Sequence, residues 1–263
     1  TLLTIKTITI MPNWVENKVI ISGTKNNMLN LFSKVLGKKA SYASWEDYLN
    51  IDTYTNANAK TITMRSWLPM PKTFKEWDTT NNMQRFEWFA EGKTLSQEEL
   101  RQEYEKYVRG YKRACQYQRE KYGVVGWYDY NCLTLGCKWD AELQYLSILE
   151  ETKDTIIIAF TLETAWSMPI PFLKHLTTFG VNVMTHSIEE GDFFDQIYDA
   201  NSDIVIKDII EEKVALLRAI VTEQDYNEKY EEQYAIYYEK VDNMHEQMYM
   251  DMYDTIQEIM VSV

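Results

Sequence analysis

The stretch Gly136-Cys137-Lys138-Trp139-Asp140-Ala141, with Thr164-Ala165-Trp166-Ser167-Met168-Pro169-Ile170-Pro171 after it, brackets the most apolar run in the chain, Thr155 to Leu162. A β-branched run of that length between turn-prone segments reads as a buried strand. The flanking segments then meet at one end of a sheet and gather Lys138, Trp139, Asp140 and Trp166. The spacing predicts Trp139 and Trp166 close together and largely buried, because indoles dominate core packing by area. Asp140 is expected to pair with Lys138 or to cap a backbone turn. The sharper alternative is a ligand pocket in which Asp140 orients a bound group, but no base or nucleophile accompanies it.

Leu143 to Leu149 reads as a second strand, joined to the first through Glu151-Thr152-Lys153-Asp154. Asn17 to Gly23 is another strand, after which Thr24 caps a helix carrying Met28, Leu31, Phe32, Val35 and Leu36 and ended by Gly37. Residues 38 to 60 form a polar loop with Trp45, Tyr48 and Leu49 as anchors, leading to a short strand at Thr61 to Arg65. Ser96 and Glu99 form a capping box for a helix from about Gln97 to Tyr122, whose basic side chains are diluted by glutamates and whose tyrosines are expected to pack inward. Trp127 to Leu135 returns toward the sheet. Pro171 opens a helix that stops at Gly180, Val181 to Ile188 alternates as a strand, and Gly191 to Tyr198 is an edge hairpin.

This order predicts an α+β fold: an antiparallel sheet with helices on one face, a helical insertion at about 94–122 and a long C-terminal helical extension. The expected division is a domain over 11–205 and an acidic helical tail over 206–263. Residues 1 to 10 precede a candidate start at Met11.

Net charge is −13 over 263 residues, unevenly spread. Residues 201 to 263 hold 15 acidic and 5 basic side chains, against 25 and 22 in the first 200. Such a tail repels phosphate backbones and suits a basic protein groove, so nucleic acid is a poor expected partner. The tail carries Ile209, Ile210, Val214, Leu217 and Val221 on one helical face. From Tyr230 it continues with Tyr234, Tyr237, Val241, Met244 and Met248 at four-three spacing, then Met252, Ile256 and Met260. The binding residues this suggests are Tyr230, Tyr234, Tyr237, Met244 and Met248, with Glu231 and Glu232 beside them, either for a partner protein or for a second copy. Deleting 222–263 is accordingly expected to remove binding and leave a folded sheet.

Three cysteines without a C-x-x-C pair fit a reducing cytoplasm, and Cys132 and Cys137 are expected to be buried, inert thiols. No apolar run approaches a membrane span, and no signal-peptide pattern opens the sequence. His175, His186 and His245 lack the close spacing of a zinc site, so no metal or other cofactor is expected.

Met11-Pro12-Asn13-Trp14-x-x-Asn17, Leu68-Pro69-Met70-Pro71, Gly136-x-Lys138-Trp139-Asp140-Ala141 and Phe160-x-x-x-Thr164-Ala165-Trp166-Ser167-x-Pro169 resemble, in order and spacing, the YubB-type ferredoxin-like family of phage and plasmid proteins. The resemblance covers roughly residues 11 to 200. It departs at Leu135-Gly136-Cys137-Lys138-Trp139, where the family usually has Trp-Gly-Thr-Lys-Trp, and at Met168. It implies a split β-α-β sheet, a mobile-element origin and a motif cluster of Trp14, Asn17, Lys138, Trp139, Asp140 and Trp166. The expectation is a non-enzymatic protein that inhibits a bacterial defence protein by contact, with an accessory single-strand-binding protein as the alternative.

Overall fold

A computed structural model describes residues 13–37, 44–49, 61–77, 79–80, 83–191, 193–220 and 228–261. Six antiparallel strands form one sheet in the order β2-β3-β1-β4-β5-β6. They are β1 (Trp14–Thr24), β2 (Leu143–Glu151), β3 (Thr155–Ala165), β4 (Asn182–Glu189), β5 (Asp195–Asp199) and β6 (Ile204–Asp208). β1 lies between β3 and β4, paired from Trp14↔Ala165 to Thr24↔Thr155 on one side and from Val15↔Glu189 to Ser22↔Asn182 on the other. The apolar run Thr155 to Leu162 thus lies in an interior strand, buried on both faces. This is an α+β fold with a long C-terminal helix.

One face is covered by α1 (Lys25–Leu36) and α8 (Ile170–Thr177). The Thr24 hydroxyl accepts from Asn27 N at 3.2 Å, and Met28, Leu31, Phe32 and Val35 turn inward, as their three-and-four spacing requires. They meet Val19, Ile21, Ile158, Phe160, Phe172 and Leu173 in the main core. Trp45, Tyr48 and Leu49, on α2 (Trp45–Leu49), anchor there as expected.

The expected strand at 61–65 is instead a single bridge, Thr63↔Glu142, running into α3 (Met64–Trp67). Thr63 N donates to Ser66 Oγ at 3.0 Å, so local side-chain bonding outweighs the β-branched residues in favour of a helical turn. Two short helices, α4 (Lys72–Glu76) and α5 (Phe86–Ala90), precede α6 (Gln97–Tyr122), in which the Ser96–Glu99 capping box forms. Tyr104 and Tyr107 pack against Phe86 and Phe89 of α5. The segment expected to return to the sheet is helical, α7 (Trp127–Thr134).

The helices are not confined to one face. Beyond β6 come α9 (Ile210–Ile220) and α10 (Glu228–Val261), and α10 lies across the other face of the sheet. Met248, Met252 and Ile256 are fully buried there against Ile20, Ile157, Ala159, Met184 and Ile197. The 205/206 boundary falls inside β6, which pairs with β5 at the sheet edge. Of the apolar stripe expected here, Ile209 is buried, Ile210 and Leu217 are half-buried and Val214 is exposed, Val221 lies outside the described residues, and the buried side chain of α9 itself is Lys213. No described helix is long and apolar enough to cross a membrane.

Candidate functional site

Trp139 and Trp166 are neighbours, with ring centroids 5.4 Å apart, and Trp14 extends the row at 6.0 Å from Trp139. They are not core. Trp14, Trp139 and Trp166 are 40%, 36% and 41% exposed, which corrects the expectation that these indoles fill the interior. Lys138 Nζ stands 4.5 Å from the Trp139 ring centroid and 4.9 Å from that of Trp166. The platform therefore already holds a cation against its faces.

What is buried is the frame beneath it. Asn17, on β1, donates from Nδ2 to Val15 O, Leu162 O and Thr164 Oγ1, each at 3.0 Å, and accepts from Ser187 Oγ at 2.7 Å. Thr164 Oγ1 donates to Ser167 O at 2.7 Å, and Ser167 Oγ donates to Gly136 O at 2.6 Å. Cys137 Sγ donates to Trp139 O at 3.1 Å and Asn131 Nδ2 to Lys138 O at 2.7 Å. Arg65 bonds Asn131 in turn and donates to Thr134 Oγ1 at 3.1 Å. A chain of polar contacts thus runs from the middle of the sheet to the loop that presents Lys138 and Trp139. Asp140 is a cap, its Oδ1 accepting from Arg65 N at 3.0 Å in the first turn of α3.

Two backbone positions fix the loop ends. Gly136 has φ +86, and a Cβ there would lie 2.5 Å from Pro171 Cδ, so only glycine fits. Trp166 has φ +64, a left-handed conformation that costs a bulky residue on the order of 1–3 kcal/mol. Its N–H donates to Asn13 O at 2.9 Å, which holds the indole beside Trp139.

Replacing Asn17 by Leu removes partners from buried hydroxyls and carbonyls. It is expected to cost about 2 kcal/mol, read as a shift in the urea midpoint. Burial pushes the Cys137 thiol up to about 12, so at pH 8 it stays protonated. Thiol labelling of native protein at that pH should reach at most Cys115 and Cys132, with Cys137 reacting only after denaturation.

The same face of β1 carries Trp14, Glu16, Lys18 and Ile20, alternating with the core side. Ile20 lies under α10, and Lys18 lines a groove of about 690 Å³ between sheet and helix with Thr161, Tyr145, Asp242, His245 and Glu246. Tyr145, at φ +52 on an irregularity of β2, is 80% exposed at its lip. Glu16 lies directly across from Glu163 and, with Trp14, Ile188 and Glu190, the two line a smaller hollow of about 320 Å³ beside the indoles. Like charges directly opposite on paired strands repel, so this placement costs stability unless a cation offsets it.

The tail residues nominated from sequence divide. Met248 is fully buried on the sheet and Tyr237 is buried, Tyr234 and Met244 are half-buried, and Glu231 and Glu232 are exposed. The Tyr230 side chain lies outside the described residues. The stripe from Met248 to Ile256 is used within the chain, which withdraws it from pairing with another copy or a partner.

Sequence reasoning missed a buried polar cluster. Asp195 of β5 is bonded by His186 Nε2 of β4 at 2.8 Å, by His245 Nε2 of α10 at 2.6 Å and by Lys213 Nζ of α9 at 3.2 Å. Burial works to raise the Asp195 carboxyl pKa, but the bonds from the two histidines outweigh it and hold the carboxyl below the usual carboxylate range. The histidines lie 59 positions apart, so no local spacing could have shown it.

No family model matches the chain, and no curated protein matches it. The chain is similar to the crystal structure of a protein api92 from Yersinia pseudotuberculosis, of the family model DUF1281, at 11% identity and a TM-score of 0.33, covering 74% of this chain and 97% of that one. A likeness at that level carries no argument about fold or function.

Proposed function

We propose that this is a non-enzymatic binding protein of the cytoplasm that captures a basic segment of a partner protein on the face formed by Trp14, Trp139 and Trp166 with Glu16, Glu163 and Glu190. The carrying observation is that three exposed indoles are held in a row by a buried polar frame, and that beside Trp14 lie the facing carboxylates of Glu16 and Glu163, with no ion-pair partner among the described residues, and that of Glu190, which accepts from Trp14 N. These groups bind rather than react. Lys138 on the indole faces shows that a cation fits there, and an arginine of the partner replaces it with advantage, since a guanidinium stacks on an aromatic face. Exposed tryptophan is also the residue type most often dominant at protein interfaces. That the partner is a bacterial defence protein rests on the mobile-element origin the resemblance implies, and that the occupied surface is basic rests on the acidic charge balance.

The exposed row of indoles also favours a second reading, single-stranded nucleic acid whose bases stack on the platform. The neighbouring carboxylates oppose phosphate.

Tryptophan fluorescence of the full-length protein, titrated with oligo-arginine, oligo-glutamate and oligothymidine, separates the two. A saturable change with oligo-arginine that weakens as salt rises is expected. A response to oligothymidine alone would transfer the platform to the second reading.

A further inference from the structure

We propose that His186, Asp195 and His245 form a site for one divalent transition-metal ion of the zinc class, which ties α10 to the sheet. Two imidazole nitrogens and one carboxylate converge, and their ligand atoms all lie within 4.8 Å of one another. A zinc ion with bonds of about 2.0–2.2 Å needs its ligand atoms roughly 3–4 Å apart, so small shifts suffice. Two of the three ligands stand on adjacent strands, β4 and β5, where Ile188 pairs with Asp195 two residues beyond His186. Both are fully buried, so their positions are fixed by the sheet. The third arrives on α10, and because His245 lines the groove, a water molecule can complete the coordination from that side.

Three features bear on affinity. Lys213 adds a positive charge, but a carboxylate oxygen has room for an ammonium on one lone pair and a metal on the other. Asp242 and Glu246, which line the groove with His245, offset that charge. Each ring ligates as neutral imidazole through Nε2 with its proton on Nδ1, and the Nδ1 of His186 has no hydrogen-bond partner among the described residues. Lys213 and that unpartnered nitrogen weaken the site, which places the expected dissociation constant in the micromolar range rather than below the nanomolar.

The test uses chelator-treated, untagged full-length protein titrated with Co²⁺. One equivalent should bind with visible absorption bands of nitrogen and oxygen ligation, and Zn²⁺ should displace it. His245→Gln should weaken binding at least tenfold, while His175→Gln, on α8 away from the cluster, should leave it unchanged. Absence of saturable one-equivalent binding, or equal binding by His245→Gln, overturns the proposal. Should His245→Gln fail to fold, X-ray absorption on the zinc-loaded wild-type protein decides: two imidazole ligands support the site and fewer than two refute it.

Discussion

Deleting residues 228–263 is expected to unfold the protein rather than leave an intact sheet. Met248, Met252 and Ile256 are fully buried, and each is worth about 1.5–3 kcal/mol of transfer energy. Their removal also bares Ile20, Ile157, Ala159, Met184 and Ile197, so one face of the central strands meets water. Lys207 Nζ to Asp251 Oδ2 at 3.1 Å and Tyr253 OH to Glu150 Oε2 at 3.1 Å are lost with the helix. Against a total stability of roughly 5–15 kcal/mol for a typical domain, this leaves little or nothing. The measurement is urea unfolding together with binding of a hydrophobic dye. A truncated protein with an unchanged midpoint and no dye binding would show that α10 does not close the core. The same logic makes Met252→Asp more damaging than any substitution at Glu231 or Glu232, which are exposed.

The second large effect is on recognition. Trp139→Ala combined with Trp166→Gly should abolish the response to a basic segment while the fold stays intact. Buried interface tryptophans cost about 2 kcal/mol or more on truncation, and each ~1.4 kcal/mol is a factor of ten. Stability should fall without loss of the fold, because the covered parts of both indoles lose their contacts while glycine releases the left-handed strain at position 166. Circular dichroism and the urea midpoint check the fold, and the oligo-arginine titration checks binding. Binding retained by this folded double variant would remove the platform from the mechanism.

Much of the sheet was readable from local pattern. The Thr24 cap, the Ser96–Glu99 box and the run 155–162 each specify an element through neighbours in sequence, and each forms. The exposure of Trp139 and Trp166 was not readable. Large aromatics are expected inside, and only the frame of Asn17, Thr164 and Ser167 beneath them shows that polar residues hold them out. The apolar stripe from Met248 to Ile256 was visible as spacing, yet spacing does not say whether the stripe meets another copy or the chain's own sheet. The Asp195 cluster depends on the same docking, since His245 reaches Asp195 only when α10 crosses the sheet.

Oxidative footprinting of the complex reads directly where a basic segment sits. With oligo-arginine bound to the full-length protein, Trp139 and Trp166 should be protected, while Tyr238, exposed on α10, should oxidise as in the free protein. Protection of Tyr238 with both indoles still reactive would place recognition on the acidic helix and rule out the tryptophan platform as the binding surface.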